Sequence, residues 1–387
     1  MKFYFNTSKF VFTLVGFLLL HACKTTQLNN DRVVASIGQL KLLDIYEIPY
    51  NLQYKQTTVG GLSSIDYNKA LDEYYFICDD RSNINPARYY TAKIAIKDTH
   101  IDTVLFTDVQ ILKRPDGTNY PNHNSNPKHS TDPESLRYNV IAKNWVWTSE
   151  GENAIKGKDT ILVDPTITIM DQTGKMLDTF YLPRNLRMTR NNIGPRQNGV
   201  IEGMSFGEDY KKLFISLEEP LHEDGPRVDV VDNNTWLRFY QFDVKTKKNT
   251  IQYAYKPDPI VYPANPINAF KVNGIPEILN IGNDQFIVVE RAYSTGRQKC
   301  TVKLFLADAR SASDVKDIFS LQSGASFTPM KKTLLLNMDD LPQFIDNVEG
   351  ITLGPILPNG HRTIILVADN NFSALEESQV FLLEIIP

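Results

Sequence analysis

Cysteine is almost missing from this chain: the 387 residues hold 3, too few for the disulfide framework of a small secreted module. Cys78 lies inside the apolar stretch YYFICDD and Cys300 opens CTVKLFLA, so both read as buried small side chains. Runs of basic residues are missing as well, and the formal net charge is −4, which speaks against a nucleic-acid surface. The apolar run at residues 10–20 (FVFTLVGFLLL) is too short for an ordinary membrane-spanning helix. Absent too are the G-x-S-x-G nucleophile elbow, the H-E-x-x-H zinc helix and the phosphate-cradling P-loop.

What the chain does have is a repeat. Short apolar strands open at Gly60 (GGLSSI), Glu134 (ESLRYNV), Glu202 (EGMSFG), Glu277 (EILNIG) and Glu349 (EGITLG), in steps of 74, 68, 75 and 72 residues. Second strands close at Asp79 (YYFICDD), Glu150 (WVWTSE), Glu218 (LFISLE), Glu290 (FIVVE) and Asp369 (IILVAD), in steps of 71, 68, 72 and 79. Two independent marks keeping one period predict a β-propeller whose blades carry long loops. Alternation and β-branched or aromatic content divide the units into strands: residues 62–66, 74–79, 89–96 and 103–112 in the first, and 203–206, 213–218, 236–243 and 250–255 in the third. The fifth unit supplies only three strands, the last at residues 379–386, and a partner is available at residues 39–48 (QLKLLDIYEI). Pairing the two ends closes the ring and protects its edges. The expected fold is all-β, a propeller of five four-stranded blades, with a sixth blade hidden in a long loop as the alternative.

Ahead of the ring stands an export address. Lys2 and Lys9 accompany the apolar run, and Leu20-His21-Ala22-Cys23 resembles the lipobox of bacterial lipoproteins. The expected organisation is a signal peptide at residues 1–22, a lipidated Cys23 and polar linker at 23–37, and the propeller at 38–387. Acyl chains on Cys23 would tether the protein to a membrane. Lys24 stands where an aspartate is associated with inner-membrane retention, so the expected address is the outer membrane of a bacterial envelope. Secretion without lipid is the alternative.

Function falls to the loops. Neighbouring strands of an up-and-down blade run antiparallel, so the start of the first strand and the end of the second share one end. All ten marks then crowd one face. Long loops belong to that face, at residues 80–88, 113–133, 151–165, 183–201, 219–235, 256–276 and 323–348, and long loops on a rigid frame are where binding and catalysis are usually placed. Asp79-Asp80-Arg81, Glu150, Glu152, Glu202, Glu218-Glu219, Glu290-Arg291, Glu349 and Asp369-Asn370-Asn371 converge there; the unit at Gly60 lacks the acid, so the ring is uneven beside it. Carboxylates in this number repel and raise one another's pKa. Either a cation neutralises them or they pair with Arg81, Arg137, Arg196 and Arg291. Hard oxygen ligands suit Ca²⁺, ahead of Mg²⁺ or another divalent metal. For any single carboxylate, a structural staple to a backbone N–H of the next blade is an equal alternative. His123 and His129 (PNHNSNPKHS) read as a solvated loop, His222 as a proton-transfer candidate in a flexible setting, and Trp145 and Trp147 as blade packing.

GGLSSIDY with YYFICDDR, DPESLR with WTSEGE, NGVIEGMSF with LFISLEEPL, FIVVER, and NVEGITLG with ILVADNNF together resemble the phytase-like family described as having esterase-like activity, common among bacterial exported proteins. The resemblance spans Gly60 to Phe372. It implies a β-propeller associated with phosphoester hydrolysis and a divalent metal, and it assigns no nucleophile. With the acidic face, it gives as catalytic candidates Asp79, Asp80, Glu202, Glu218, Glu349 and Asp369. Arg81, Arg196, Arg291 and Asn370 are candidates for holding the substrate, and Glu134, Glu150, Glu202, Glu290, Glu349 and Asp369 for holding the metal, with Ca²⁺ the first choice. Three functions stay open: a metal-assisted phosphoesterase acting on a small phosphate ester, a propeller lactonase or carboxylic ester hydrolase, and a non-enzymatic envelope binding protein.

Overall fold

The computed structural model describes residues 1–2, 33–34, 36–156 and 159–387; the apolar run and Cys23 lie outside the described residues. Five four-stranded antiparallel sheets form the ring. Blade I comprises Leu62–Asn68, Glu73–Cys78, Arg88–Lys97 and His100–Ile111, and blade II comprises Pro133–Asn139, Asn144–Ser149, Thr166–Met170 and Met176–Thr179. Blade III is built from Ile201–Phe206, Lys212–Leu217, Leu237–Asp243 and Lys248–Tyr255, and blade IV from Lys271–Asn280, Gln285–Ser294, Thr301–Asp308 and Lys331–Asn337. Asn347–Ile356, Arg362–Asp369 and Ser378–Ile386 begin blade V, and the N-terminal strand Gln39–Ile48 completes it. That strand lies antiparallel to the last one, Gln39 opposite Ile386 and Ile48 opposite Ser378. The chain thus closes its ring as its two ends predict, with five blades.

Two spans read as loops carry strands. Residues 323–348 contain Lys331–Asn337, the outer strand of blade IV, and residues 151–165 contain a hairpin that pairs Glu152–Lys156 with Asp159–Val163. Both lie away from the inner strands and bury little, with Leu334 and Leu162 exposed. Their apolar alternation is correspondingly weak, and it is that alternation that reveals a strand in sequence.

Successive side chains of a strand point to opposite faces, and here both faces of the inner strands are covered. In blade I, Tyr74, Phe76 and Cys78 pack with Ile365 and Val367 of blade V, while Tyr75 and Ile77 pack with Leu136, Trp145 and Trp147 of blade II. This two-sided burial explains why YYFIC is a continuous apolar run. Trp145 stacks edge-on to Tyr75 with ring centroids 4.3 Å apart, and Trp147 is edge-on to Tyr120 at 5.7 Å, so both serve blade packing. Cys78 and Cys300 are free and buried.

Candidate active site

Strand register fixes which side chains reach the funnel. Leu62 lies opposite Cys78, Pro133 opposite Ser149, Ile201 opposite Leu217 and Val348 opposite Ala368. In each pair the next residue of the second strand is therefore equivalent from blade to blade: Asp79, Glu150, Glu218 and Asp369. In blade IV Gly274 lies opposite Arg291, so the fifth member of that ring is Arg291 and not Glu290. The same register makes Ser63, Glu134, Glu202, Pro276 and Glu349 the matching positions on the inner strands.

Blade IV thus takes two of the ten marks, Glu290 and Glu277, out of the funnel, and with them Glu290's expected role as a metal ligand. Glu290 points to the other face of its strand, where it accepts hydrogen bonds from Tyr255 Oη at 2.7 Å, Asn273 Nδ2 at 3.0 Å and Lys332 Nζ at 2.6 Å. It is a structural ion pair, not a ligand in the funnel. Glu277 lies one residue deeper than Glu134, Glu202 and Glu349, and is 1% exposed. Its Oε2 accepts from Ser64 Oγ at 2.9 Å, Ser135 Oγ at 3.1 Å and Arg137 Nη2 at 2.5 Å, and its Oε1 from Met204 N at 2.7 Å. Arg137 in turn donates to the carbonyl of Ile65 in blade I. This buried pair ties blades I to IV together beneath the funnel. Glycine is required at the matching positions of blades III and V: a Cβ on Gly203 would meet Ser216 Oγ at 2.3 Å, and one on Gly350 would meet Ile65 N at 2.9 Å.

Above this floor opens a cavity of about 890 Å³, lined among others by Asp79, Arg81, Asp132, Glu134, Glu202, Glu218, Arg291 and Glu349. Arg291 bridges Glu218 Oε1, at 2.6 Å from its Nη2, and Glu349 Oε1 with Asn347 Oδ1 through its Nη1. Arg81 forks onto Asp132, with Nε 2.6 Å from Oδ1, and reaches Asn198. Among the described residues no basic side chain is ion-paired with Asp79, Glu134, Glu150, Glu202 or Asp369. Asp369 is 0% exposed and neither carboxylate oxygen has a hydrogen-bond partner. Asp132, Glu134 and Glu150 are all buried and each offers an oxygen within 4.8 Å of the others. Three converging carboxylates form an all-oxygen donor set that fits a hard divalent cation.

Several predicted residues lie elsewhere. Asp80 forms a buried ion pair with Arg88 at 2.9 Å and caps the following loop, accepting from the N–H groups of Asn83 at 2.7 Å and Asn85 at 2.8 Å; its role is structural. Asn370 Oδ1 accepts from Gly61 N and Phe372 N, holding the turn after blade V's second strand. Arg196 donates to the carbonyls of Pro220 and Gly225 at 2.9 and 2.6 Å, and neither it nor His222 is among the cavity's lining residues. His123, expected in a solvated loop, is 9% exposed, with Nδ1 3.1 Å from Ser130 Oγ and Nε2 3.7 Å from Glu152. Its loop folds back onto blade I, where His123 N donates to Arg81 O. Asp132 was missed, although it stands two residues before Glu134 and so on the same side of an extended chain. Glu150 makes a staple contact as well as belonging to the carboxylate triad: its Oε1 accepts from Val200 N of the segment entering blade III.

Burial and mutual repulsion set the protonation of this cluster. Burial, then the neighbouring Glu349 and Asp132, push Asp79 from 3.8 up to about 8. Burial raises Asp132 to about 6 against the pull of Arg81. Glu134, Glu150, Glu202 and Asp369 are held well above the ordinary carboxylate range by burial first and second by the charge of a neighbouring carboxylate, Glu202, Asp132, Glu218 and Asp79 in turn. An acid raised in the folded state binds a proton that the unfolded chain has lost, so folding is favoured at low pH and loses stability as pH rises from the unfolded to the folded value. In chelator, the melting temperature is therefore expected to fall as pH rises between about 4 and about 8, the window set by Asp79. A melting temperature that is flat or rising across that window would contradict this account of the cluster.

No curated protein matches the chain. Among solved structures, an endo-arabinase from Bacteroides thetaiotaomicron is similar at 14% identity, with a TM-score of 0.42, over 85% of this chain and 95% of that one. An α-L-arabinofuranosidase from Lactobacillus brevis is similar at 10% identity, with a TM-score of 0.43, over 84% and 90% of the two chains. The phytase-like family, described by the esterase-like activity of phytase, matches residues 57–372. That span runs from the segment entering blade I to the turn after Asp369 and takes in Asp79, Asp132, Glu134, Glu150, Glu202, Glu218, Glu349 and Asp369, and on it the chain belongs to the phytase-like family.

Proposed function

We propose that this chain is an exported, metal-assisted hydrolase of phosphate esters. The observation that carries the reading is a charge imbalance. Asp79, Asp132, Glu134, Glu150, Glu202, Glu218, Glu349 and Asp369 act on one another electrostatically, and only Arg81 and Arg291 answer them within the cluster. Eight carboxyl groups share two guanidinium partners, so several of them, Asp79 among them, keep a proton in place of a charge, and a bound cation would let more of them ionise. Asp132, Glu134 and Glu150 are the residues that would hold it. A divalent cation supplies Lewis-acid polarisation of an ester oxygen.

The chain's own groups do the rest. Arg81 and Arg291 line the cavity and suit phosphoryl oxygens, which a guanidinium binds through parallel N–H donors. Both are already gripped by carboxylates, so their orientation is fixed before substrate arrives. Asp79, pushed up to about 8, holds its carboxyl proton at neutral pH. It is the group suited to protonate a departing alkoxide, since a catalytic acid works best with a pKa near the working pH. The export address belongs to the same reading: cleavage before Cys23 and acylation of its thiol would place the ring at a bacterial envelope, the outer membrane by the Lys24 argument. Mass spectrometry of the mature protein tests that step.

Turnover of a generic phosphate monoester is expected with millimolar calcium and is expected to vanish in excess chelator, together with a calcium-dependent rise in melting temperature, because a ligand of the folded ring alone stabilises it. Turnover that persists unchanged in chelator removes the metal from the reaction. Hydrolysis of lactones or carboxylic esters, with none of phosphate esters, replaces the substrate. A tight ligand without any turnover makes the funnel a binding site.

A further inference from the structure

A second cavity opens away from the funnel, beside the outer strand of blade III. It encloses about 800 Å³, a size that suits a small molecule, and shares no lining residue with the funnel. One wall is the loop between blades II and III. The other is the segment Lys316 to Phe319, part of the stretch that joins the last two strands of blade IV, and Asn249 and Gln252 of blade III's outer strand line the cleft as well.

Both walls are fastened to blade III. Gln252 is 2% exposed, and its Oε1 accepts from Asn185 Nδ2 of the first wall at 3.0 Å and from Arg238 Nη1 at 2.9 Å. Arg238, fully buried and paired with Asp224 at 2.6 Å, donates in turn to the carbonyls of Val315 at 3.1 Å and Ile318 at 2.8 Å, which holds the second wall. Gly194 N, at the far end of the first wall, donates to Glu223 Oε2 at 2.7 Å. A cleft whose walls are fixed before a ligand arrives spends little binding energy on ordering them.

Its lining selects by charge and by apolar surface. Arg184, Arg187 and Lys316 line it against Glu223 and Asp317. Glu223 has one oxygen on Gly194 N and the other buried. Among the described residues Arg184 has no ion-pair partner. Arg187 and Lys316 pair with Asp164 at 3.0 Å and Asp314 at 3.1 Å, acids that do not line the cleft. Exposed pairs of this kind are weak, so an arriving anion can take their place. Each wall also leaves an apolar side chain uncovered: Ile193 is 42% and Phe319 68% exposed, and both line the cleft.

We propose that this cleft is a binding site for a small amphipathic anion, a single carboxylate or phosphate head on an apolar chain. Arg184, Arg187 and Lys316 attract the head, for which guanidinium groups are well matched donors, and the chain covers Ile193 and Phe319. Unlike the acidic funnel, the cleft needs no metal to receive an anion. The inference stands apart from the hydrolase reading, and neither depends on the other.

Isothermal titration in chelator, with octanoate, octyl phosphate, acetate and 1-octanol as probes, tests it. Octanoate or octyl phosphate is expected to bind on the order of tenfold more tightly than acetate, which lacks the chain, or 1-octanol, which lacks the charge. The tighter of the two tells a carboxylate site from a phosphate site. Arg184→Ala and Phe319→Ala, both at exposed positions, are each expected to weaken that binding about three- to tenfold. Melting curves check that both variants fold. The octanoate affinity is expected to be the same in millimolar calcium, and both variants to turn over a phosphate monoester as the wild type does. Binding of neither amphiphile, equal binding of acetate or 1-octanol, no effect of either variant, or binding that appears only with calcium overturns the inference. Loss of turnover in either variant does so too, by placing these side chains in the funnel's reaction.

Discussion

Replacing Arg137 by alanine is expected to destabilise the protein by about 3–5 kcal/mol, the cost of stripping a buried charge of its partner. Arg137 and Glu277 are each 1% exposed on their side chains. Arg137 donates to Ser64 Oγ and to the carbonyls of Ile65, Leu136 and Ile351 as well as to Glu277, so truncation strips a buried carboxylate of its counter-charge and three carbonyls of a donor. Those groups belong to different blades, and their loss loosens the ring at its centre. Arg187→Ala is the comparison: its pair with Asp164 at 3.0 Å is exposed, 58% and 37% on the two side chains, and is expected to cost under about 1 kcal/mol. Urea unfolding of both variants decides the matter, and equal losses would show that the floor pair holds nothing together. The double variant with Glu277→Gln should recover part of the loss, because residues in one network couple.

The ring was legible because packing repeats. Each inner strand is covered on both faces, so each leaves a continuous apolar run, and the runs recur near one period whatever lies between them. The same signal was blind to phase. An acid in blade IV's second strand, Glu290, looks like Asp79 or Glu218 when only spacing is read, yet one residue along a strand turns the side chain to the opposite face. Register, a matter of pairing between strands, decides that Arg291 enters the funnel and Glu290 does not. Charge-bearing positions outside the strands were harder still. Asp80 and Asn370 lie within two residues of strand ends, where a short polar side chain turns to cap nearby N–H groups, so nearness to the face did not carry them into the cavity. Asp132 was overlooked for the converse reason, lying in a loop by sequence while the backbone before blade II is already extended.

Glu134→Gln is expected to move stability and activity in opposite directions. Gln keeps the shape and one acceptor oxygen and removes a charge that Glu202, Asp132 and Glu150 oppose. At about pH 8 in chelator, the variant should therefore melt several degrees above the wild type, since repulsion among carboxylates no longer opposes the folded ring. With millimolar calcium the order should reverse. The wild type gains from a cation among Asp132, Glu134 and Glu150, whereas the variant has lost one of three anionic donors and one unit of attracting charge. Removing even an outer partner of a metal ligand costs about 10- to 100-fold in affinity or activity, so loss of the ligand itself should exceed that in turnover of a phosphate monoester. A purely structural carboxylate gives neither sign: it would lower the melting temperature equally with and without calcium. Glu202→Gln extends the argument across the funnel, because Glu202 shares the repulsion but is not one of the three clustered donors. It should show the gain in chelator while keeping most of the calcium response. If the two variants behave alike, the cation site is not the triad and the whole acidic ring acts as one diffuse sink for positive charge.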